Sequence, residues 1–152
     1  MAGAVTIART GLSASFQFIP RLGLDVVFER SRGSGSGVIA KDDLLWPRRM
    51  RTVVRAGLAP LKRPALTEDA EVLVCELVTN ALRHGRGDVG VRLLFSTQQL
   101  RIEVRDASPD SPVLRNATPA DESGRGLFIV QALASEWSIS PDGTMTWCSL
   151  TF

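Results

Sequence analysis

Glu71-Val-Leu-Val-Cys-Glu-Leu-Val-Thr-Asn-Ala-Leu-Arg-His84, stopped by Gly85, is the stretch around which the rest of the chain can be placed. Glu76, Asn80 and His84 recur every four positions, so on a helix they form one slowly drifting polar stripe. Ala70, Leu73, Val74, Leu77, Val78 and Ala81 form a broad apolar stripe beside it, wide enough to pack on a core. A carboxylate and an amide one turn apart can jointly serve a hydrated Mg²⁺, a hard cation that takes oxygen ligands and keeps several waters. The solvated side of an ordinary amphipathic helix has the same spacing, and only the rest of the chain decides between the two readings.

Upstream, Thr67 is a good N-cap and Glu68, Asp69 and Glu71 stand where a helix dipole favours acids, which predicts a helix over about 68–84. Pro47 suits a first helical turn, and Met50, Val53, Val54 and Leu58 follow at helical spacing, predicting a helix over 47–58. Downstream, Asp88–Phe95 and Leu100–Asp106 alternate on either side of a short polar turn and read as a β-hairpin. In its second strand Asp106 shares a face with Leu100, Ile102 and Val104, so this carboxylate points the way the core residues point. Either a backbone N–H or arginine satisfies it, or a ligand does.

Ala107–Ser123, punctuated by Pro109, Pro112 and Pro119, is a loop of the length that lids and binding loops have. It leads to Gly124-Arg125-Gly126-Leu127, which opens a helix predicted to run to Glu136. Glycines just before a helix let backbone N–H groups approach phosphate oxygens, and they also serve plain loop-to-helix turns. Trp137–Ser140, the turn Pro141-Asp142-Gly143, and Thr144–Phe152 form a closing hairpin. At the other end, residues 1–37 show short apolar patches without a sustained period and finish in a Gly/Ser run, Ser31–Gly37. They are expected to form a poorly ordered extension, with room for one short strand or helix, ahead of a domain over 38–152.

The 152 residues are enough for one domain with a proper core. With 44% apolar and 22% charged residues and no long apolar run, the chain reads as a soluble protein without a membrane span. Its start lacks the form of a secretory signal, which gives a cytoplasmic expectation. A net charge of +2, with arginines dispersed among acids, gives nucleic-acid binding little support. Cys75 and Cys148 match neither a disulfide framework nor a zinc spacing. No Gly-x-Ser-x-Gly elbow accompanies His84, so a serine hydrolase is remote.

Helices segregated from short antiparallel strands imply an α/β two-layer sandwich, with helices on one face of a mixed, mostly antiparallel sheet. From about Leu45 to Leu150 the sequence resembles the bacterial anti-sigma-factor serine/threonine kinases, within the histidine-kinase and Hsp90-like ATPases of Bergerat fold. Three boxes in order carry the resemblance: Glu76-Leu-Val-Thr-Asn80-Ala81 with His84, Asp106-Ala107-Ser108-Pro109, and Gly124-Arg125-Gly126-Leu127. It implies ATP and Mg²⁺ as cofactors, Glu76 as general base, Asn80 as the Mg²⁺ ligand, and Asp106 as acceptor from the adenine amino group. It further implies nucleotide contacts from His84, Ser108, Gly124, Arg125, Gly126 and Leu127. Ser108 stands where the wider superfamily often has Gly, and Gly143-Thr144 stands where many relatives have Gly-Lys, so Thr144 is the candidate contact there. The function implied is transfer of the ATP γ-phosphate to a serine or threonine of a partner protein, an anti-sigma antagonist. The alternative is an ATP-responsive module that sequesters a sigma factor or other regulator without chemistry. The resemblance names no individual partner and leaves a homodimer open.

Overall fold

The computed structural model describes residues 4–8, 22–31, 38–107 and 122–152. Strands β1 (Ala4–Ala8), β2 (Leu22–Phe28), β3 (Val89–Phe95), β4 (Gln99–Arg105), β5 (Glu136–Ile139) and β6 (Met145–Thr151) form one sheet in the order β1-β2-β3-β4-β6-β5. Helices α1 (Leu45–Leu58), α2 (Pro64–His84) and α3 (Glu122–Leu133) complete the α/β sandwich. Every described strand pair is antiparallel, so the sheet lacks the parallel element that a mixed one would have.

Alternation explains the layers. Val26 and Phe28 on β2, Val89, Val91, Leu93 and Phe95 on β3, Leu100, Ile102 and Val104 on β4, and Cys148 and Leu150 on β6 fall on one face by register and are buried. Against them lie Met50, Val54 and Leu58 of α1, Leu73, Val74, Leu77 and Val78 of α2, and Val130 of α3. The opposite face is held by polar pairs: Arg92 donates to Asp25 at 2.6 Å and Arg101 to Glu103 at 2.7 Å, while the Arg101 guanidinium lies 3.9 Å from the Trp147 ring centroid. A face that keeps its charges paired this way needs no covering layer.

Helix α2 starts earlier than predicted, because Pro64, with φ pre-set by its ring, takes the first position. Thr67 then lies inside the helix, its hydroxyl donating to the Arg63 carbonyl at 3.2 Å, and caps nothing. Glu71 lies deeper than a dipole acid should. Only 6% exposed, it accepts from Arg55 Nε at 2.5 Å and Nη2 at 3.1 Å, with Arg51 at 3.5 Å, pinning α2 to α1. Those bonds, Arg55's first, hold its carboxyl below the usual range.

Inside the expected extension over residues 1–37, Ala4–Ala8 and Leu22–Phe28 form β1 and β2 of the sheet. There β2 pairs with β3 along its whole length, from Leu22 opposite Phe95 to Phe28 opposite Val89. Phe28 is 2% exposed and stacks on Trp46, centroids 4.0 Å apart. Residues 32–37, most of the Gly/Ser run, lie outside the described residues, as does the proline-punctuated stretch 108–121.

Candidate functional site

The C-terminal half of α2 presents Glu76 and Asn80 on one side, both partly buried. Helix α3 crosses them at Gly126. A Cβ built on Gly126 would stand 2.9 Å from Glu76 Oε2, 3.5 Å from Asn80 Oδ1 and 3.7 Å from Asn80 Nδ2. Glycine is thus what allows the helix backbone to come this close to the carboxylate and the amide. Burial pushes the Glu76 carboxyl up from its usual range, against a weaker opposing pull from Arg83.

The glycines do not precede the helix as the sequence reading had them. Helix α3 begins at Glu122, so Gly124 is its third residue and Gly126 its fifth. Only the first four N–H groups of a helix lack intrahelical partners. Gly124 is among them, and Gly126 lies past them. The helix also ends at Leu133, short of Glu136, because Ser135 N–H is taken by the Ser149 carbonyl at 2.8 Å and the chain turns into β5.

Asp106 follows β4 directly and continues its register: its N–H donates to the Thr144 carbonyl at 3.0 Å, and the next N–H, of Ala107, to the Arg86 carbonyl at 2.8 Å. Its carboxylate closes on the end of α2. A Cβ on Gly85 would come within 2.5 Å of Asp106 Oδ2 and within 2.5 Å of the Ala81 carbonyl oxygen. Gly85, read from sequence only as a helix stop, is therefore the wall against which Asp106 rests.

The other expected residues fall as follows. His84 closes α2 at an exposed position, its pKa lowered by partial burial of the ring and then by Arg83. The atoms nearest a Gly126 Cβ belong to Glu76 and Asn80. The Leu127 side chain is buried, 4% exposed. The Thr144 hydroxyl donates to Asp142 Oδ1 at 2.8 Å within the β5–β6 turn, so its side chain is engaged there. Ser140 Oγ donates to the same oxygen and is the first cause of an Asp142 pKa of about 2. Gly124 and Arg125 sit in the first turns of α3. Ser108 lies outside the described residues.

Sequence reading missed Arg30. Just past β2, it donates through Nη2 to the Ala81 carbonyl at 2.5 Å, through Nη1 to Leu82 at 2.6 Å and through Nε to Gly87 at 3.1 Å. The signal that could have placed it was the alternation of Leu22, Leu24, Val26 and Phe28, a strand pattern that the adjoining Gly/Ser run obscured.

Among the described residues no three His, Cys, Asp or Glu side chains group as a metal cluster. A partly buried amide oxygen beside a carboxylate still suits a magnesium ion whose other ligands are waters and phosphate oxygens. The chain belongs to the family of histidine kinase-like ATPase domains, whose profile it matches over residues 47–150, and ATP binding goes with that membership. A search of curated proteins finds no match to the chain. Among the described residues no helix is long and apolar enough to cross a membrane.

Proposed function

We propose that this chain is a regulatory protein kinase of the anti-sigma-factor type, which moves the γ-phosphate of ATP to a serine or threonine of a partner protein. The observation that supports it is the approach of Gly126 to within contact of both Glu76 and Asn80, two side chains of different chemistry at one place. Bound ATP supplies the phosphoryl group, and Mg²⁺ bound with it offsets the phosphate charge. Asn80 offers Mg²⁺ a neutral oxygen, Gly124 a backbone N–H at the positive end of α3, and Asp106 an acceptor for the adenine amino group. Glu76 is left for the acceptor hydroxyl. Its raised pKa moves it toward the range where a carboxylate takes a proton efficiently near neutral pH.

Transfer of label from γ-labelled ATP to proteins that co-purify with the chain tests this reading. Glu76→Gln should bind Mg-ATP within a few-fold of wild type while transfer falls about a hundredfold, a typical general-base contribution. Asn80→Ala should instead lose affinity when Mg²⁺ is present and change little in chelator. Full transfer by Glu76→Gln removes Glu76 from the chemistry. ATP binding by the wild type without transfer to any co-purifying protein favours a non-catalytic, ATP-responsive module that sequesters its partner.

A further inference from the structure

Arg30 stands outside residues 47–150, the part of the chain that the family profile covers. Its guanidinium nevertheless spans the end of α2, bonded to carbonyls on both sides of the turn 83–86: Ala81 and Leu82 before it, Gly87 after it. The Ala81 carbonyl also accepts the Gly85 N–H at 2.9 Å, so the guanidinium is a second donor there, and a planar fork that reaches several carbonyls of a last helical turn at once fixes their direction. The turn so held is what positions Asp106. Gly85 has no room for a methyl group against its carboxylate, Arg86 accepts the Ala107 N–H at 2.8 Å, and Gly87, at φ +69°, brings its backbone against Ala107. Arg30 is itself anchored, since the neighbouring Ser31 donates from its N–H and hydroxyl to Asp43, a carboxylate only 2% exposed, at 2.9–3.1 Å.

We infer that Arg30 is a positioning residue for nucleotide selection: by clamping the 83–86 turn it holds Asp106 where a 6-amino purine, and not a 6-keto purine, is accepted. The inference rests on the reading of Asp106 as the adenine acceptor. Charge supports it. Burial lowers the Arg30 pKa, while the nearby charges of Asp106 and then Asp43 raise it. Displacing a recognising group by an ångström can cost on the order of a hundredfold, so a loosened turn should show as lost discrimination.

The test compares the full-length wild type with Arg30→Met, Arg30→Lys and Asp106→Asn. ATP and GTP affinities are measured by calorimetry, and amide exchange is followed without nucleotide. Arg30→Met should reduce the ATP-over-GTP preference by about tenfold and raise exchange at Gly85 and Ala107 about tenfold, with Leu93 and Ile102 unchanged. Arg30→Lys keeps the charge but not the fork and should recover only part of the preference. A preference within twofold of wild type in folded Arg30→Met overturns the inference, as does unchanged exchange at Gly85 and Ala107. Should Arg30→Met not fold, full wild-type preference in Arg30→Lys overturns it. If the wild type shows no preference that Asp106→Asn removes, the reading of Asp106 fails, and with it the selection part of the inference. The exchange data then decide the clamp alone.

Discussion

Glu71 and Glu76 lie on the same helix, and their surroundings push their carboxyl groups in opposite directions. Arg55 lowers Glu71, which therefore contributes stability above its unfolded pKa that is lost as pH falls through the lower folded value. Burial raises Glu76, which therefore favours the folded state fully below its ordinary pKa of 4.5 and loses that advantage as pH rises through the raised value. At neutral pH the ionised Glu76 is thus a burden on the fold, of the kind that functional sites carry. Glu76→Gln should be more stable than wild type at pH 7, with the gap shrinking on acidification and closing below about pH 4.5. Urea midpoints at pH 7 and pH 4 measure this, and a less stable variant at pH 7 would contradict it. Spacing made only the placement of Glu76, Asn80 and Asp106 legible, because period four on a helix and period two on a strand fix which side a residue takes, and their roles came from the resemblance. Arg30 and the wall at Gly85 were not legible, since their roles come from contacts between segments far apart in sequence, which no local period encodes.

At the scale of elements, type was readable and boundaries were not. Helix α2 gained a turn through Pro64, and α3 began ahead of its glycines, so that Gly126 became an inner position packed on α2. A glycine inside a helix costs about 1 kcal/mol relative to alanine, so Gly126→Ala gains on propensity. Its methyl group, however, would meet Glu76 Oε2 at 2.9 Å, the far end of a flexible side chain that can swing away. The fold should therefore tolerate the change, with a melting temperature equal to or above wild type, while Glu76 and Asn80 are pushed out of place. Mg-ATP affinity and transfer should each fall by on the order of tenfold. Thermal unfolding and calorimetry on one preparation read both effects, and unaltered affinity and transfer would show that the close approach at Gly126 is only packing.

The fold of the whole molecule is larger than the segment that identifies its family. That segment starts at residue 47, yet β3 in the sheet has β2 on its other side, and the core includes Val26 and Phe28, each 2% exposed. A chain shortened to begin at Val38 would expose the β3 edge and the inner faces of Val89 and Val91, and would leave Trp46 without the ring stacked on it. Truncating one buried Phe to Ala typically costs about 3–5 kcal/mol, and domains of this size have roughly 5–15 kcal/mol in total. Losing Phe28, Val26 and a full strand of backbone pairing together should exceed that margin, and an uncovered apolar edge invites aggregation. The shortened chain is expected to show no cooperative thermal transition and to bind no ATP. Full-length Phe28→Ala should still unfold cooperatively, at a lower temperature. Calorimetric scans of the three proteins decide it: a cooperative transition of the 38–152 chain within 5 °C of full length, an illustrative threshold of about 1 kcal/mol, would mean that β2 decorates a domain already complete without it.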